Sequence, residues 1–397
     1  MLDFFSIMIS KIAIILGTKF PTSKAYGVTT RETLKSLIDK NIEVKVFCPK
    51  SLYKDDDFDD VDQYITNFHD NFLFRVFLKL GESGTKLFNQ ILWSAYMISL
   101  ILISTHKIKL FKPDLIWVRD PLIALLCSKK LKNKKIVLEI HSYSYEFVFK
   151  YLLKFKEIII LAPINSIMLE NFQYRYPGFK YILAPMGINS FNVTKDYEVK
   201  TFVTELTSRK NHEIKVGYIG NFAPQLYSKG IEDLIHLAQE SCKKDSVIKI
   251  DLVGCNEIEL KFFNDLRDKL EIPNTFLKFK THVSHSTALK LMKDFDVLVL
   301  PEPRSDNYSG MPLKLLEYLS AGRVTIIANT KLFQSLFPGQ FKPYFYNNGI
   351  ELYERILQVV NDKNLEQKIL NGILFTSEYT WEKRTTVILE SVIQGSA

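Results

Sequence analysis

Cysteine is scarce in this chain of 397 residues. Only Cys48, Cys127, Cys242 and Cys255 are present, with no CxxC pair and no zinc-site spacing. That excludes a disulfide framework and a structural zinc centre, and the four read as reduced thiols, mostly core. A GxGxxG fingerprint is also missing, so the usual dinucleotide site is not expected. There is no low-complexity tract and no repeat of solenoid period. The opening stretch, "MLDFFSIMISKIAIIL", has no basic n-region and no cleavage pattern, so no signal peptide is expected there. The longest apolar stretch, Phe72 to Ile103, is interrupted by Asn89, Gln90, Ser94 and Ser99. It is therefore expected as a buried or interfacial helix rather than a bilayer span.

What is abundant is apolar and aromatic side chain, at 47% and 13% of residues. Such a chain is not globally disordered, and its length favours two domains, each with its own core. Charge is unevenly placed. Residues 1–200 hold 28 Lys and Arg against 20 Asp and Glu, whereas residues 201–397 hold 24 of each. All of the net charge of +8 thus lies in the first half, which suggests different partners for the two halves.

Short apolar runs alternate with helical patterns throughout. Lys11 to Leu16 and Ile42 to Pro49 read as strands around a helix with Leu34, Leu37 and Ile38 on one face. "DLIWV", "KKIVLEIH", "KEIIILAP" and "KYILAPMGIN" continue the series. Residues 190–212 turn polar and read as a linker. A second series follows: "IKVGYIGNF", the helix "IEDLIHLAQE", "VIKIDLVGC", "FLKFKTHVSH", "STALKLMKDF" and "DVLVLP". Both halves are thus α/β with doubly wound parallel sheets.

The last of these strands leads into "SGMPLKLLEYLSAGRVTII", Ser309 to Ile327. Pro312 suits a first helical position and Gly322 a C-terminal stop. Val324 to Ala328 reads as a buried strand. The loop Glu302 to Met311 therefore lies past the C-terminal end of a strand, where ligands bind in open α/β sheets. A helix start favours an anion. Glu317 sits inside an apolar helix, which is costly for an acid unless something partners it. Either it lies on an exposed face, or it accepts hydrogen bonds from ligand hydroxyls. Gly220 in "YIGNF" permits close backbone approach, and Lys229 offers a point charge to phosphate; the alternative is an ordinary βα loop. His141 closes a strand, either as a core histidine or as a polar group at the ligand-binding edge. The acidic run Lys54 to Asp62 and "DFD" at 294–296 are expected to be a solvated loop and a structural turn, not metal ligands.

Together, "GYIGN", "SKGIEDLI", "DVLVLP", "SGMPLKLLEYLSAGRVTII" and "YTWEKRTTVIL" resemble the family 4 glycosyltransferases. "SKAYGVTTRETLKSLIDKNIEVKVFCP", "PDLIWVRDP", "VLEIH" and "APMGIN" fit the same pattern. The resemblance implies the GT-B fold, two Rossmann-like doubly wound domains facing a central cleft. It implies residues 1–195 as the acceptor-binding domain, 205–376 as the nucleotide-sugar donor domain, and 377–397 as a helix returning to the first. It further implies a retaining transfer that needs no bound metal and no cofactor beyond the donor. His141, Lys229 and Glu317 then fall on catalytic positions. Gly220, Asn221, Lys229, Ser309, Gly310, Met311, Leu313 and Glu317 fall on the donor site. Gly27, on the family's glycine-rich loop, and Arg119 fall on the acceptor side. Ser309 stands where the family's first motif glutamate would be, and Asn221 where an arginine often follows the glycine; Arg304 or Lys314 is the expected substitute charge.

The expected activity moves a sugar from a nucleotide-diphosphate sugar to a glycan or lipid-linked acceptor in cell-surface polysaccharide or glycolipid synthesis. The alternatives are a non-hydrolysing nucleotide-sugar epimerase, which would need a central acid/base cluster, and an inactive partner subunit that binds nucleotide or membrane. The expected location is cytoplasmic. The basic first half and the stretch Phe72 to Ile103, with Arg75, Lys79 and Lys86, suggest docking on anionic lipid at the inner face of the membrane. No nucleic-acid partner is expected.

Overall fold

Runs of β-branched residues between polar turns become parallel strands here, because helices cover both faces of each sheet. The computed structural model describes residues 9–22, 25–49, 59, 63–68, 86–143, 145–208, 213–222, 230–301, 313–337, 339 and 341–394. These divide into two units. One holds the described residues up to Met186 and those from Trp381 onward; the other holds those from Gly187 to Thr380.

The first unit contains β1 (Lys11–Ile15), β2 (Glu43–Pro49), β3 (Ile65–Phe68), β4 (Leu115–Val118), β5 (Lys135–Ile140), β6 (Ile159–Pro163) and β7 (Lys180–Tyr181). They form one sheet in the order β3-β2-β1-β4-β5-β6-β7, with every neighbouring pair parallel. The order reverses between β1 and β4, which opens a crevice at their C-terminal ends. Ile12, Ile14, Val44, Val46, Leu115 and Val137 build the core, and Ile388, Leu389 and Val392 join it from the helix Trp381–Gln394. That helix lies against the helix Ala25–Ile38, where the Ser36 and Thr385 hydroxyls are 2.6 Å apart.

The second unit contains β8 (Ile214–Ile219), β9 (Ile248–Cys255), β10 (Leu277–Thr281), β11 (Val297–Leu300), β12 (Val324–Ala328) and β13 (Tyr344–Tyr346). Its parallel sheet runs β10-β9-β8-β11-β12-β13, with the reversal between β8 and β11. Val216, Ile250, Leu252, Val297, Val299 and Ile326 lie at its centre.

Three expectations need correction or refinement. Residues 190–208 are not a linker: they contain a 3₁₀ turn, Ser190–Asn192, and a helix, Asp196–Ser208. Val199, Phe202 and Leu206 recur at helical spacing amid polar neighbours and enter the core of the second unit. "KYILAPMGIN" supplies only the two-residue strand β7. Of the stretch Phe72 to Ile103, residues 72–85 lie outside the described residues, and the rest begins a 26-residue helix, Lys86–Phe111. Tyr96, Met97, Leu100, Ile101 and Ile108 are buried on one of its faces, while Ile98, Leu102, Ile103 and Leu110 are exposed on another. It is therefore a half-buried helix. Among the described residues, no helix is long and apolar enough to cross a membrane.

Candidate active site

In the second unit, β8 and β11 pair only through Val216 with Val297 and Gly217 with Leu298. Beyond that they part, and Ile219 would be left with unpaired backbone groups. Tyr318, fully buried on the helix Leu313–Ser320, fills the gap. Its hydroxyl accepts from the Ile219 N–H at 2.7 Å and lies 3.3 Å from the Ile219 carbonyl. The helix is thereby pinned to the end of β8, and its first turn is brought to Gly220. A Cβ at position 220 would collide with Cε and Nζ of Lys314. These atoms are the far end of a flexible side chain, so the contact places the Lys314 ammonium directly over the Gly220 backbone. The Lys314 ammonium is also 5.8 Å from the Tyr218 ring centre. Asn221 is exposed, and its carbonyl accepts from the Tyr218 hydroxyl at 2.9 Å.

Glu317 is buried at 7% exposure, which excludes the exposed-face reading. Its Oε1 lies 2.6 Å from Nε2 of His285, at the start of the helix His285–Leu291. The expected partner of this acid is thus a histidine that the sequence reading had not singled out. Leu313 is partly buried at the start of the helix. Lys229, Ser309, Gly310, Met311 and Arg304 lie outside the described residues.

In the first unit, the element ends around β4 and β5 carry a buried charge cluster centred on Glu139, which is fully inaccessible. Its Oε1 accepts from Trp117 Nε1 at 2.8 Å and from Arg384 Nη2 at 2.6 Å. Its Oε2 accepts from Arg119 Nε at 2.7 Å and lies 2.8 Å from His141 Nε2. Burial of a carboxylate is tolerated only when its oxygens are matched by donors in this way. Burial would raise the Glu139 carboxyl, but the charges of Arg119 and Arg384 and the His141 hydrogen bond outweigh it and hold the group well below the usual range. Burial pushes the His141 imidazole down, as does the charge of Arg119, with Glu139 opposing.

Arg119 is turned inward to Glu139 and to the Tyr26 carbonyl, at 3.1 Å from Nη1. Gly27 is not in a loop: it stands in the first turn of the helix Ala25–Ile38. A Cβ there would collide with the Thr22 carbonyl, so close packing, not loop freedom, explains this glycine. Glu139, Trp117, Arg384, His285 and Tyr318 were missed by sequence reasoning. Their one local signal was an acid inside the buried run "VLEIH".

Among the described residues, no three His, Cys, Asp or Glu side chains are grouped so as to hold a metal ion. Asp296 is a structural acid: its Oδ2 accepts from the Lys215 N–H at 2.8 Å. The run Lys54 to Asp62 lies outside the described residues apart from Asp59, which is exposed.

Residues 201–372 match the family model described as Glycosyl transferases group 1. A poly(ribitol-phosphate) alpha-N-acetylglucosaminyltransferase of Staphylococcus aureus (strain COL) is 27% identical over 180 residues, 44% of this chain and 34% of that protein. The chain thus spans about a third of the length of the curated relative it matches. Sucrose-phosphate synthase from Thermosynechococcus elongatus superposes with a TM-score of 0.69 at 14% identity, over 96% of this chain and 98% of that one. Anabaena HepE, solved in complex with UDP-glucose, superposes with a TM-score of 0.63 at 13% identity, over 96% of this chain and 98% of that one. At such identities the likeness is one of fold, and the fold is GT-B. The segment 201–372 is therefore similar to the glycosyl transferases group 1, within a chain whose fold is GT-B.

Proposed function

We propose that this chain is a retaining, metal-independent glycosyltransferase that moves a sugar from a nucleotide-diphosphate sugar to a glycan or lipid-linked acceptor. The observation that carries the reading is the buried Glu317 carboxylate, held by His285 on the helix whose first turn lays Lys314 against Gly220. It pairs a hydroxyl-binding group with a cation and the positive end of a helix dipole at a strand-order reversal. A nucleotide diphosphate has that pattern of hydroxyls and anion. The relative named for poly(ribitol-phosphate) and the neighbour solved with UDP-glucose support the same class of donor and a polymeric acceptor in the cell envelope.

In this reading the second unit binds the donor. Glu317 accepts hydrogen bonds from the ribose hydroxyls. Lys314 and Lys229, with Gly220, Asn221, Leu313 and the segment Ser309 to Met311, surround the diphosphate. Lys314 supplies the positive charge that an arginine in place of Asn221 would carry. The first unit binds the acceptor beside His141, with Arg119 contributing Nη2. As the bond from the anomeric carbon to the diphosphate oxygen breaks, positive charge at Lys314 and Lys229 stabilises the leaving group. The acceptor hydroxyl forms its bond to that carbon on the same face, and its proton passes to a phosphate oxygen. No protein nucleophile is used.

A panel of nucleotides tested for thermal stabilisation, followed by turnover of the matching sugar donors in EDTA, tests this reading. One nucleoside diphosphate should stabilise the protein, and its sugar donor should be turned over at full rate in chelator. Stabilisation without turnover would favour an inactive partner subunit. Interconversion of the sugar without transfer would favour an epimerase. Activity lost in EDTA and restored by Mg²⁺ or Mn²⁺ would remove metal independence.

The same proposal places the protein at the cytoplasmic face of a membrane. On the helix Lys86–Phe111, exposed Ile98, Leu102, Ile103 and Leu110 stand beside exposed Lys107 and Lys109. Apolar side chains flanked by lysines suit the boundary of an anionic bilayer, where each basic residue contributes about 1 kcal/mol. Co-sedimentation with anionic liposomes at low salt is expected, and release at high salt. Equal recovery in the supernatant with anionic and neutral liposomes would point to a soluble acceptor.

A further inference from the structure

His141 touches the Glu139 cluster through one ring nitrogen only. Nε2 faces Oε2 of a carboxylate that already accepts from Arg119, Arg384 and Trp117. Among the described residues Nδ1 has no hydrogen-bond partner, and the side chain keeps 26% of its exposure. A carboxylate oxygen can only accept, so Nε2 carries a proton, and Nδ1 is a lone pair in the neutral ring.

The charge count decides the rest. The charged groups acting on His141 are Arg119, just past β4, Glu139 on β5, and Arg384 on the helix Trp381–Gln394. Two guanidinium ions against one carboxylate already leave a buried positive charge. A second positive charge on the imidazole would be added to that excess at low dielectric. Glu139 alone would make His141 a stronger base, as an acid behind a histidine does in hydrolases. With both arginines bound to it, Glu139 keeps its orienting role, and its pull on a proton is outweighed by burial and by the charges of Arg119 and Arg384. Arg384 is well anchored for this purpose: it lies 5.9 Å from the Trp117 ring centre and 5.7 Å from that of Trp381.

We infer that Glu139, Arg119 and Arg384 are positioning residues that hold His141 as the neutral Nε2–H tautomer, with Nδ1 presented as an acceptor for a sugar hydroxyl. His141 then neither donates a proton to the leaving group nor attracts an anion; it selects for an O–H donor at that point. The substrate half of this inference rests on the proposed glycosyl transfer. The tautomer half does not.

The test is nitrogen NMR of the full chain labelled with ¹⁵N-histidine, with His141→Gln used to identify the resonance. His141 is expected as the Nε2–H tautomer, neutral at pH 7, with a titration midpoint below the ordinary value of about 6.5. Arg384→Gln removes a positive charge yet can still donate to Glu139, and should move that midpoint up by about one unit. Arg119→Gln, at the more exposed of the two arginines, is the second variant if Arg384→Gln does not fold. A merely structural arginine would leave the midpoint unmoved. An Nδ1–H tautomer, an imidazolium at pH 7, or an unmoved midpoint in the folded variants would overturn the inference. In turnover assays the acid limb of the rate profile should follow the His141 midpoint and shift up with it in the variants; a limb that stays put would remove the hydroxyl-acceptor role. Absence of any turnover would count against the proposed function and leave the tautomer result standing by itself.

Discussion

Replacing Glu139 by leucine should destabilise the first unit by about 3–5 kcal/mol, the usual cost of leaving buried charges without their partner. Arg384 and Arg119 would then face each other across an apolar side chain, and Trp117 Nε1 would lose its acceptor. The expected readout is a large drop in denaturant midpoint at an unchanged slope. The pH dependence has a definite sign. Glu139 is depressed in the folded protein, so its contribution is complete above the unfolded carboxyl value of about 4.3. It is lost as pH falls from there through the folded value. The wild type should therefore lose stability on acidification below about pH 4, and the variant should lose less of its smaller total. A leucine variant as stable as the wild type at neutral pH would mean that packing alone holds these elements together.

The second large effect is expected at Glu317. Glu317→Gln keeps the shape of the side chain but removes the charge that ribose hydroxyls would use. Charge-assisted hydrogen bonds contribute about 1.5–3 kcal/mol, so nucleotide affinity should fall about ten- to a hundredfold. Titration calorimetry with the nucleotide that stabilises the wild type measures this directly. The fold should survive, because Tyr318 and not Glu317 secures the helix to β8. His285 complicates the outcome in a useful way. If Glu317 serves only to pair with His285, the variant should lose stability and keep its nucleotide affinity. That result would move the donor site away from this helix.

Much of the architecture was legible because parallel strands buried on both faces are written as nearly unbroken apolar runs. "DVLVLP" and "VTIIA" could hardly be anything else between helical patterns, and both are strands. Glu317 was legible for the opposite reason: an acid among leucines is conspicuous. Glu139 has the same chemistry but went unremarked, since a single acid in "VLEIH" looks like the polar phase of an alternating strand. The helix Asp196–Ser208 was hidden too, because ten of its thirteen residues lie outside the stripe Val199, Phe202 and Leu206. Gly27 was placed in a loop because the family resemblance implies one there; the packing of the Thr22 carbonyl against the helix start is not written locally.

By itself, then, the sequence determined the alternation of strands and helices outside the segment 190–208, the two α/β halves, the GT-B resemblance and the acid on the helix after β11. Each of these is a local pattern, set by side-chain periodicity and turn chemistry within a few residues. Tertiary structure alone decided which charges meet. Glu139 finds Trp117 across 22 residues and Arg384 across 245, and Glu317 finds His285 across 32. Pairings at such distances follow from how sheets and helices stack, and stacking is settled by the burial of whole apolar faces rather than by any short run of residues.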